Sequence, residues 1–474
     1  MNSTLVSKTA LIQRIKSNPL SYIQRAVNPF YWIRRISTHF ARRKPRREAN
    51  LVFSLLIRMQ QDPSQKWSAH RHQKLSEILA YAYQHCRYYK NLFEQFELDP
   101  KGLRNFKRLP LLDKAIIRSH RNDIISDEIN HLDFYTMNTG GSTGEPLEFP
   151  VSSIAGKIDG VHQEFQYRII GYEPGDKVVA FDGSSVPENL RQNHVYWIET
   201  GPNDIPYGRL SYSSLYLTKE TAPFYVKHIL DYKPSILRGY PSFLNDIATH
   251  ILNNNISIPF HIKGVELTAE NAYDWQIENI KKAFDTNVFF QYGHSEVSVF
   301  GYTVDDTYEY FCSPFYGLTE VLDSEGMQVN KGEIGEIVVT GFYNFALPFI
   351  RYRTGDLAVF NGDENGIVRL GKIIGRTQDY IYTKDRERVA LTALIFGQHY
   401  HAFGNIQKWQ LVQNVPGKVV IKIIKGEGFS NEDEEEIRNK FKGICNIATD
   451  FDFVDSIPLT KRGKFKFLVQ NIEV

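Results

Sequence analysis

The chain has 474 residues, 42% of them hydrophobic, and a formal net charge of +2, so it can bury a large core, and an enzyme-sized globular protein of more than one domain is expected. Its three cysteines, Cys86, Cys312 and Cys445, stand far apart without a CxxC pair, which suggests neither a disulfide framework nor a zinc site. No apolar run approaches the roughly 20 residues that cross a bilayer, and the N-terminus lacks the apolar core of a signal peptide, so the expected location is cytoplasmic.

Charge is uneven along the chain. Residues 1–50 carry eleven Lys or Arg against the single Glu48 and end in the cluster Arg42, Arg43, Lys44, Arg46 and Arg47. Leu20, Ile23, Val27, Phe30, Tyr31, Trp32, Ile33 and Ile36 lie between them, a mixture that suits peripheral association with an anionic membrane and equally suits a basic leader packed on the main domain. No nucleic-acid-binding signature accompanies the charge. Residues 66–120 read as helices, with Leu75, Ile78, Leu79 and Ala82 at helical spacing and a restart at Pro110 and Asp113.

The stretch TGGSTGEPLEFP, Thr139 to Pro150, has little side-chain bulk and many free N–H donors, which suits polyphosphate as well as it suits a flexible hairpin turn. Glu145 and Pro146 follow where a Walker loop needs lysine, so it is not a kinase-type loop. Ser153 is placed to cap a helix whose apolar face is Ile154, Ile158, Val161 and Phe165. A strand at Val178–Phe181 follows.

Strands at Ser235–Leu237, Ile262–Leu267 and Asn287–Gln291 then alternate with helices at 242–252 and 270–284. That alternation predicts βαβ units, a parallel sheet and a ligand site beyond the carboxyl ends of its strands. The segment Tyr292 to Glu296, YGHSE, leaves the last strand with an aromatic ring, a glycine and a carboxylate, a usable set for a base, a phosphate and Mg²⁺; a turn with a solvated Glu reads the same way. After a strand at Gly332–Thr340, Asp356 sits in a Thr-Gly-Asp turn, where it can bond its own backbone or accept ribose hydroxyls. Beyond Gly375 the pattern restarts. A strand at Val419–Ile424, a helix capped by Ser430 with Ile437, Phe441 and Ile444 on its buried face, and a strand at Phe451–Val454 suggest a small α+β domain. It ends in IPLTKRGKFKFL, where Lys464 reads by itself as a surface residue.

Taken in order, TGGSTGEP, YGHSE, YRTGDL, GRTQD and PLTKRGK resemble the core motifs of the adenylate-forming acyl/aryl-CoA synthetase superfamily, spanning residues 139 to 464. LRGYPSFL at Leu237–Leu244, the Tyr88, Tyr89 and Leu92 segment and the Thr268, Ala269, Glu270 turn look like its phenylacetate-CoA ligase and CapK-like branch, which is tied to capsular or surface polysaccharide synthesis. The resemblance implies an α/β fold: a basic leader over 1–50, a large AMP-binding domain with mixed or parallel sheets over 51–375, and a small mobile α+β lid over 376–474.

It also implies ATP, Mg²⁺ and a small carboxylic acid as substrate, with an amine, saccharide or thiol as acceptor. Thr139, Gly140, Gly141, Ser142, Thr143 and Gly144 would hold phosphates; Tyr292 would stack on adenine, with Gly293, His294, Thr268, Ala269 and Glu270 around the nucleotide. Glu296 would hold Mg²⁺, Asp356 the ribose and Arg376 the hinge, and Lys464 would bridge the carboxylate and the α-phosphate. The family pattern breaks at Glu145, where many relatives carry lysine, and at Gln378, where the hinge acid is usual. KDRERVALTALIF lacks the Gly-rich turn that passes pantetheine, which leaves CoA open. An aryl-CoA ligase and a nucleotidyltransferase of the deazaflavin-adenylylating kind are the alternative functions.

Overall fold

A computed structural model describes residues 46–100, 103, 105–138, 147–376, 380–390, 400–460 and 463–472. The expected phosphate loop at 139–144 and Gln378 therefore lie outside the described residues, as does most of the basic leader. A helix over 46–61 crosses the expected leader boundary at residue 50 and buries Ala49, Val52, Leu56 and Met59 against the main core.

The body is built on a sheet of twelve strands. Its centre is parallel: Leu210–Ser213, Val178–Asp182, Ile236–Gly239, Gly264–Thr268 and Val288–Gly293 lie side by side in that order. These strands are runs of Val, Ile, Leu and Phe because helices cover both faces. Beyond Val288–Gly293 every pairing is antiparallel, out through Ile367–Arg376 and Tyr352–Glu364 to the edge strand Gly317–Leu322. On one face the helix Ser153–Ile170 lies against the sheet, with Gln163 and Gln166 bonded to Glu266 and the Phe290 carbonyl. On the other, Phe181 and Tyr212 stack on each other, and Phe243 of the helix Pro241–Asn253 meets Phe181 edge-on beside the helix Ala222–Tyr232.

Three local expectations change. The cap of the helix Ser153–Ile170 is Ser152 rather than Ser153, and its hydroxyl serves Asn344 and the Ala346 N–H instead of the helix. The helix expected from Glu270 begins at Asp274, because Ala269 takes a left-handed φ of +68° and the Glu270 carboxylate is committed elsewhere. Asp356 is not in a loop between two strands but inside the single strand Tyr352–Glu364, whose bulges and left-handed Gly355 absorb the turn-like sequence.

A second sheet, of four strands, carries the C-terminal part: Ala448–Phe453, Lys418–Lys425, Ile406–Val415 and Leu468–Gln470. The helix Asn431–Cys445 starts at a capping box made by Ser430 and Asp433, and lays Ile437 and Phe441 on a core with Trp409, Leu411, Val419, Ile421 and Ile423. The side chain of Ile444 lies outside the described residues. No described helix is long and apolar enough to cross a membrane.

Candidate active site

The expected residues gather at the carboxyl ends of the parallel strands. Thr268 and Gln291 are register partners on Gly264–Thr268 and Val288–Gly293, and the Thr268 hydroxyl donates to Gln291 Oε1 at 2.6 Å. The next residues, Ala269 and Tyr292, are thereby held beside each other. The Tyr292 hydroxyl donates to Asp356 Oδ2 at 2.9 Å; burial, with the Asp356 charge, pushes that hydroxyl well up from its ordinary range, so it stays a donor. Asp356 pairs across the sheet with Arg376, which puts the expected ribose and hinge positions side by side on the backbone; the Arg376 side chain is not among those described.

Glu296 is buried, 5% exposed, which removes the reading of a solvated turn carboxylate. Burial pushes its carboxyl up, but His294 at 3.1 Å and the Tyr352 hydroxyl donating at 2.8 Å win, and hold it at about 2. An ionised, buried carboxylate just beyond the strand ends fits Mg²⁺, which takes one or two carboxylates and fills its shell with phosphate and water.

The C-terminal sheet contributes one loop, between Ala448–Phe453 and Leu468–Gln470. Thr460 and Lys464 close a tight turn: the Thr460 N–H donates to the Lys464 carbonyl at 2.9 Å, and Gly463 sits at φ +68°. The turn fits a notch in the body. Ser214 Oγ donates to the Gly463 carbonyl at 2.8 Å, and a Cβ on residue 463 would lie 2.6 Å from the Gly183 Cα. Next along, Lys464 Nζ reaches the Ala269 carbonyl at 3.4 Å and lies 5.6 Å from the centre of the Tyr240 ring. The Phe465 N–H donates to Glu270 Oε1 at 2.6 Å, while Glu270 Oε2 accepts from the Ser242 N–H at the start of the helix Pro241–Asn253. Glu270 thus ties the lysine's loop to the body, and burial pushes its carboxyl above the usual range against those bonds.

Sequence reasoning missed Tyr352, Gln291, Ser214 and Tyr240 as supporting residues. Tyr352 and Tyr240 stand inside motifs already noticed, YRTGDL and LRGYPSFL, but only the fold shows where their side chains go. Ser214 carried no signal.

A family model described as the CapK C-terminal domain matches residues 381–471. Protein CapK of Staphylococcus aureus is 26% identical over 420 residues, covering 85% of this chain and 89% of that protein. A phenylacetate-coenzyme A ligase of Thermus thermophilus is 24% identical over 352 residues, covering 67% and 72%. Among solved structures, 2-hydroxyisobutyryl-CoA ligase in the postadenylation state with R3-HIB-AMP superposes with a TM-score of 0.64 at 17% identity, covering 85% of this chain and 89% of that one. The fold is that of the adenylate-forming ligases: a large mixed sheet followed by a C-terminal domain with its own sheet.

Proposed function

We propose, for a chain related to CapK and the phenylacetate-CoA ligases, that it is an ATP-dependent ligase that activates a carboxylic acid as its acyl-adenylate. The observation that carries this is the seat of Lys464. A cation from a separate sheet is delivered, through a fitted turn, to the strand ends where Tyr292, Asp356 and Glu296 already stand. A surface lysine has no need of a notch that admits only glycine before it.

In this reading the ring of Tyr292 lies against adenine, and Asp356 accepts the ribose hydroxyls. The carboxylate oxygen attacks the α-phosphorus in line; the new O–P bond forms as the bond to the β-phosphate oxygen breaks, and pyrophosphate leaves. Lys464 meets the negative charge that builds on the α-phosphate and entering carboxylate, a preorganised contact of the kind worth about 100-fold in rate or more. Glu296 would hold Mg²⁺, which supplies positive charge to the phosphates. The loop 139–144 would hold the β- and γ-phosphates through its N–H groups.

The acceptor is proposed to be an amine, a saccharide or a thiol in the building of capsular or surface polysaccharide, an assignment that leans on the CapK relative. Aryl-CoA ligation is the second reading, supported by the phenylacetate-coenzyme A ligase relative. A carboxylate screen by ATP–pyrophosphate exchange tests the central claim: exchange that depends on an added acid supports it, and AMP transfer without any acid-dependent exchange would favour a nucleotidyltransferase. CoA consumption coupled to AMP release separates the second reading from the first. The basic leader is proposed to bring the enzyme to an anionic membrane; a chain starting at residue 46 that bound phosphatidylserine vesicles as well as the full chain would remove that role.

A further inference from the structure

The face of the central sheet that leads down from Lys464 is polar where a ring-binding pocket would be apolar. Side chains two apart on a strand share a face and lie about 6.6 Å apart. Tyr240, which lies under Lys464 Nζ, is therefore followed on the same face by Arg238, and Thr268 by Glu266. Arg238 and Glu266 are register partners, with Arg238 Nε 2.8 Å from Glu266 Oε2. Gln163 Nε2, from the helix Ser153–Ile170 that covers this face, donates to both Glu266 oxygens at 2.7 and 2.8 Å.

About one helical turn nearer the strand ends, Asp159 accepts from the hydroxyls of Tyr316 at 2.8 Å and Tyr207 at 2.5 Å. Tyr207 in turn has the Arg238 guanidinium 5.9 Å from its ring. This is not sealed core. The Arg238 side chain keeps 22% of its exposure next to Ile236 and Leu237, which have none, and Tyr207 keeps 41%. The side of the sheet beneath the helix is therefore open at Arg238 and Tyr207, beside Asp159, a hollow with Glu266 sealed beneath it.

Resting on the adenylation reading above, we infer that this hollow receives the far end of the carboxylic acid and selects an acid bearing hydrogen-bond donors there, hydroxyl or ammonium, over an aryl or alkyl acid. The valences left open are mainly acceptors. The guanidinium is matched by Glu266, the Gln163 amide is spent on the same carboxylate, and both tyrosine protons go to Asp159; what remains is the other lone pairs of Asp159 and the phenol oxygens. Two carboxylates against one guanidinium also leave the hollow an excess of negative charge. A phenyl or alkyl group would take water from these groups and return nothing, which leaves each of them unpaired. A site built to hydrogen-bond its substrate rejects the analogue that lacks the partner by far more than an apolar pocket rejects a missing methylene.

The test is acid-dependent ATP–pyrophosphate exchange with the full chain, comparing γ-hydroxybutyrate, γ-aminobutyrate and serine with pentanoate and phenylacetate. The expected result is a kcat/KM about 100-fold higher for the best hydroxy or amino acid than for either apolar acid. Tyr207→Phe, at an exposed ring whose fold does not depend on its hydroxyl, should raise KM for the preferred acid about tenfold with KM for ATP unchanged. Asp159→Asn should cost the amino acid more than the hydroxy acid if ammonium is recognised, and both alike if hydroxyl is. Pentanoate or phenylacetate used as well as or better than the polar acids overturns the inference and leaves adenylation standing, as does a Tyr207→Phe enzyme with unchanged KM for every acid. Absence of exchange with every acid overturns the adenylation reading, and the inference with it.

Discussion

The two sheets differ in what they bring to the site. The twelve-stranded sheet gathers Thr268, Ala269, Tyr292, Glu296 and Asp356 by register, so their positions follow from the same packing that makes the core. The four-stranded sheet has its own apolar core and brings one loop, held to the body by polar contacts: Ser214 to the Gly463 carbonyl, the Phe465 N–H to Glu270, and Lys408 to Asp246 at 2.7 Å. Hydrogen bonds of this kind are each worth about 0.5–1.5 kcal/mol net, somewhat more where one partner is charged, so in the proposed reading the small sheet leaves without unfolding either core. In the proposed reading, binding residues are built into the body, and the group that acts on the reacting atoms is on the separate sheet. If that division is right, substitutions on the two sides should fail differently.

The sharpest break is Lys464→Ala. Pyrophosphate exchange should fall by about 100-fold or more, with the ATP Kd changed much less, because the lysine acts only when its loop is seated. A folded Lys464→Ala protein that exchanges at a near-normal rate would show that the lysine is an ordinary surface residue. Next is Gly463→Val, which leaves the lysine in place but fills the notch. A side chain there meets Ser214 Oγ and the Gly183 Cα, and the left-handed φ adds strain. Misplacing a reacting group by about 1 Å can cost 100-fold; exchange should drop between about tenfold and that limit, while nucleotide binding measured by calorimetry stays as it was. Unchanged exchange would mean that the seated arrangement is not the one that reacts.

On the body side, Asp356→Ala should weaken ATP binding first, raising KM for ATP about tenfold, near 1.4 kcal/mol, with a smaller fall in kcat. It removes the partner of the Tyr292 hydroxyl as well as an acceptor for ribose. A loss confined to kcat would reverse the assignment of binding to the body.

The sequence carried the body's outline because its signals are local. Runs such as Val178–Phe181 and the Ser430 cap are decided within a few residues, and the strands and helix appear within a few positions of where they were expected. It misjudged the start of the next helix because that position depends on distant partners: the chain leaves the strand Gly264–Thr268 with a left-handed Ala269, and Glu270 offers its carboxylate to Phe465, 195 residues away. Likewise Asp356 sits in a sequence that spells a turn, yet its pairing with Arg376 on one side, and that of the flanking Arg353 and Leu357 on the other, keep it in a strand. Motif order located Lys464, but the reason it reaches the site, a glycine fitted against Ser214 and Gly183, belongs to no motif.

An effect on stability, not on rate, lies in the body alone and touches no reacting group. His162 is fully buried, with Nδ1 at 2.7 Å from the Ile158 carbonyl and Nε2 at 2.8 Å from Ser313 Oγ, so Nδ1 donates and Nε2 accepts. Burial lowers its pKa from the ordinary 6.5 to about 4, against the pull of the Ile158 bond. As pH falls below 6.5 the unfolded chain takes up the proton and the folded one does not. The contribution of this histidine is therefore whole above the unfolded pKa and is lost as pH falls toward 4, at up to about 1.4 kcal/mol per pH unit. Between about pH 7 and pH 5 the body should lose about 2 kcal/mol through this one group. His162→Gln, itself destabilising, should flatten that slope in urea unfolding followed at the two pH values. A variant with the wild-type slope would place the acid sensitivity elsewhere. Because the small sheet shares no part of this contact, its own unfolding should keep the same pH dependence in both proteins.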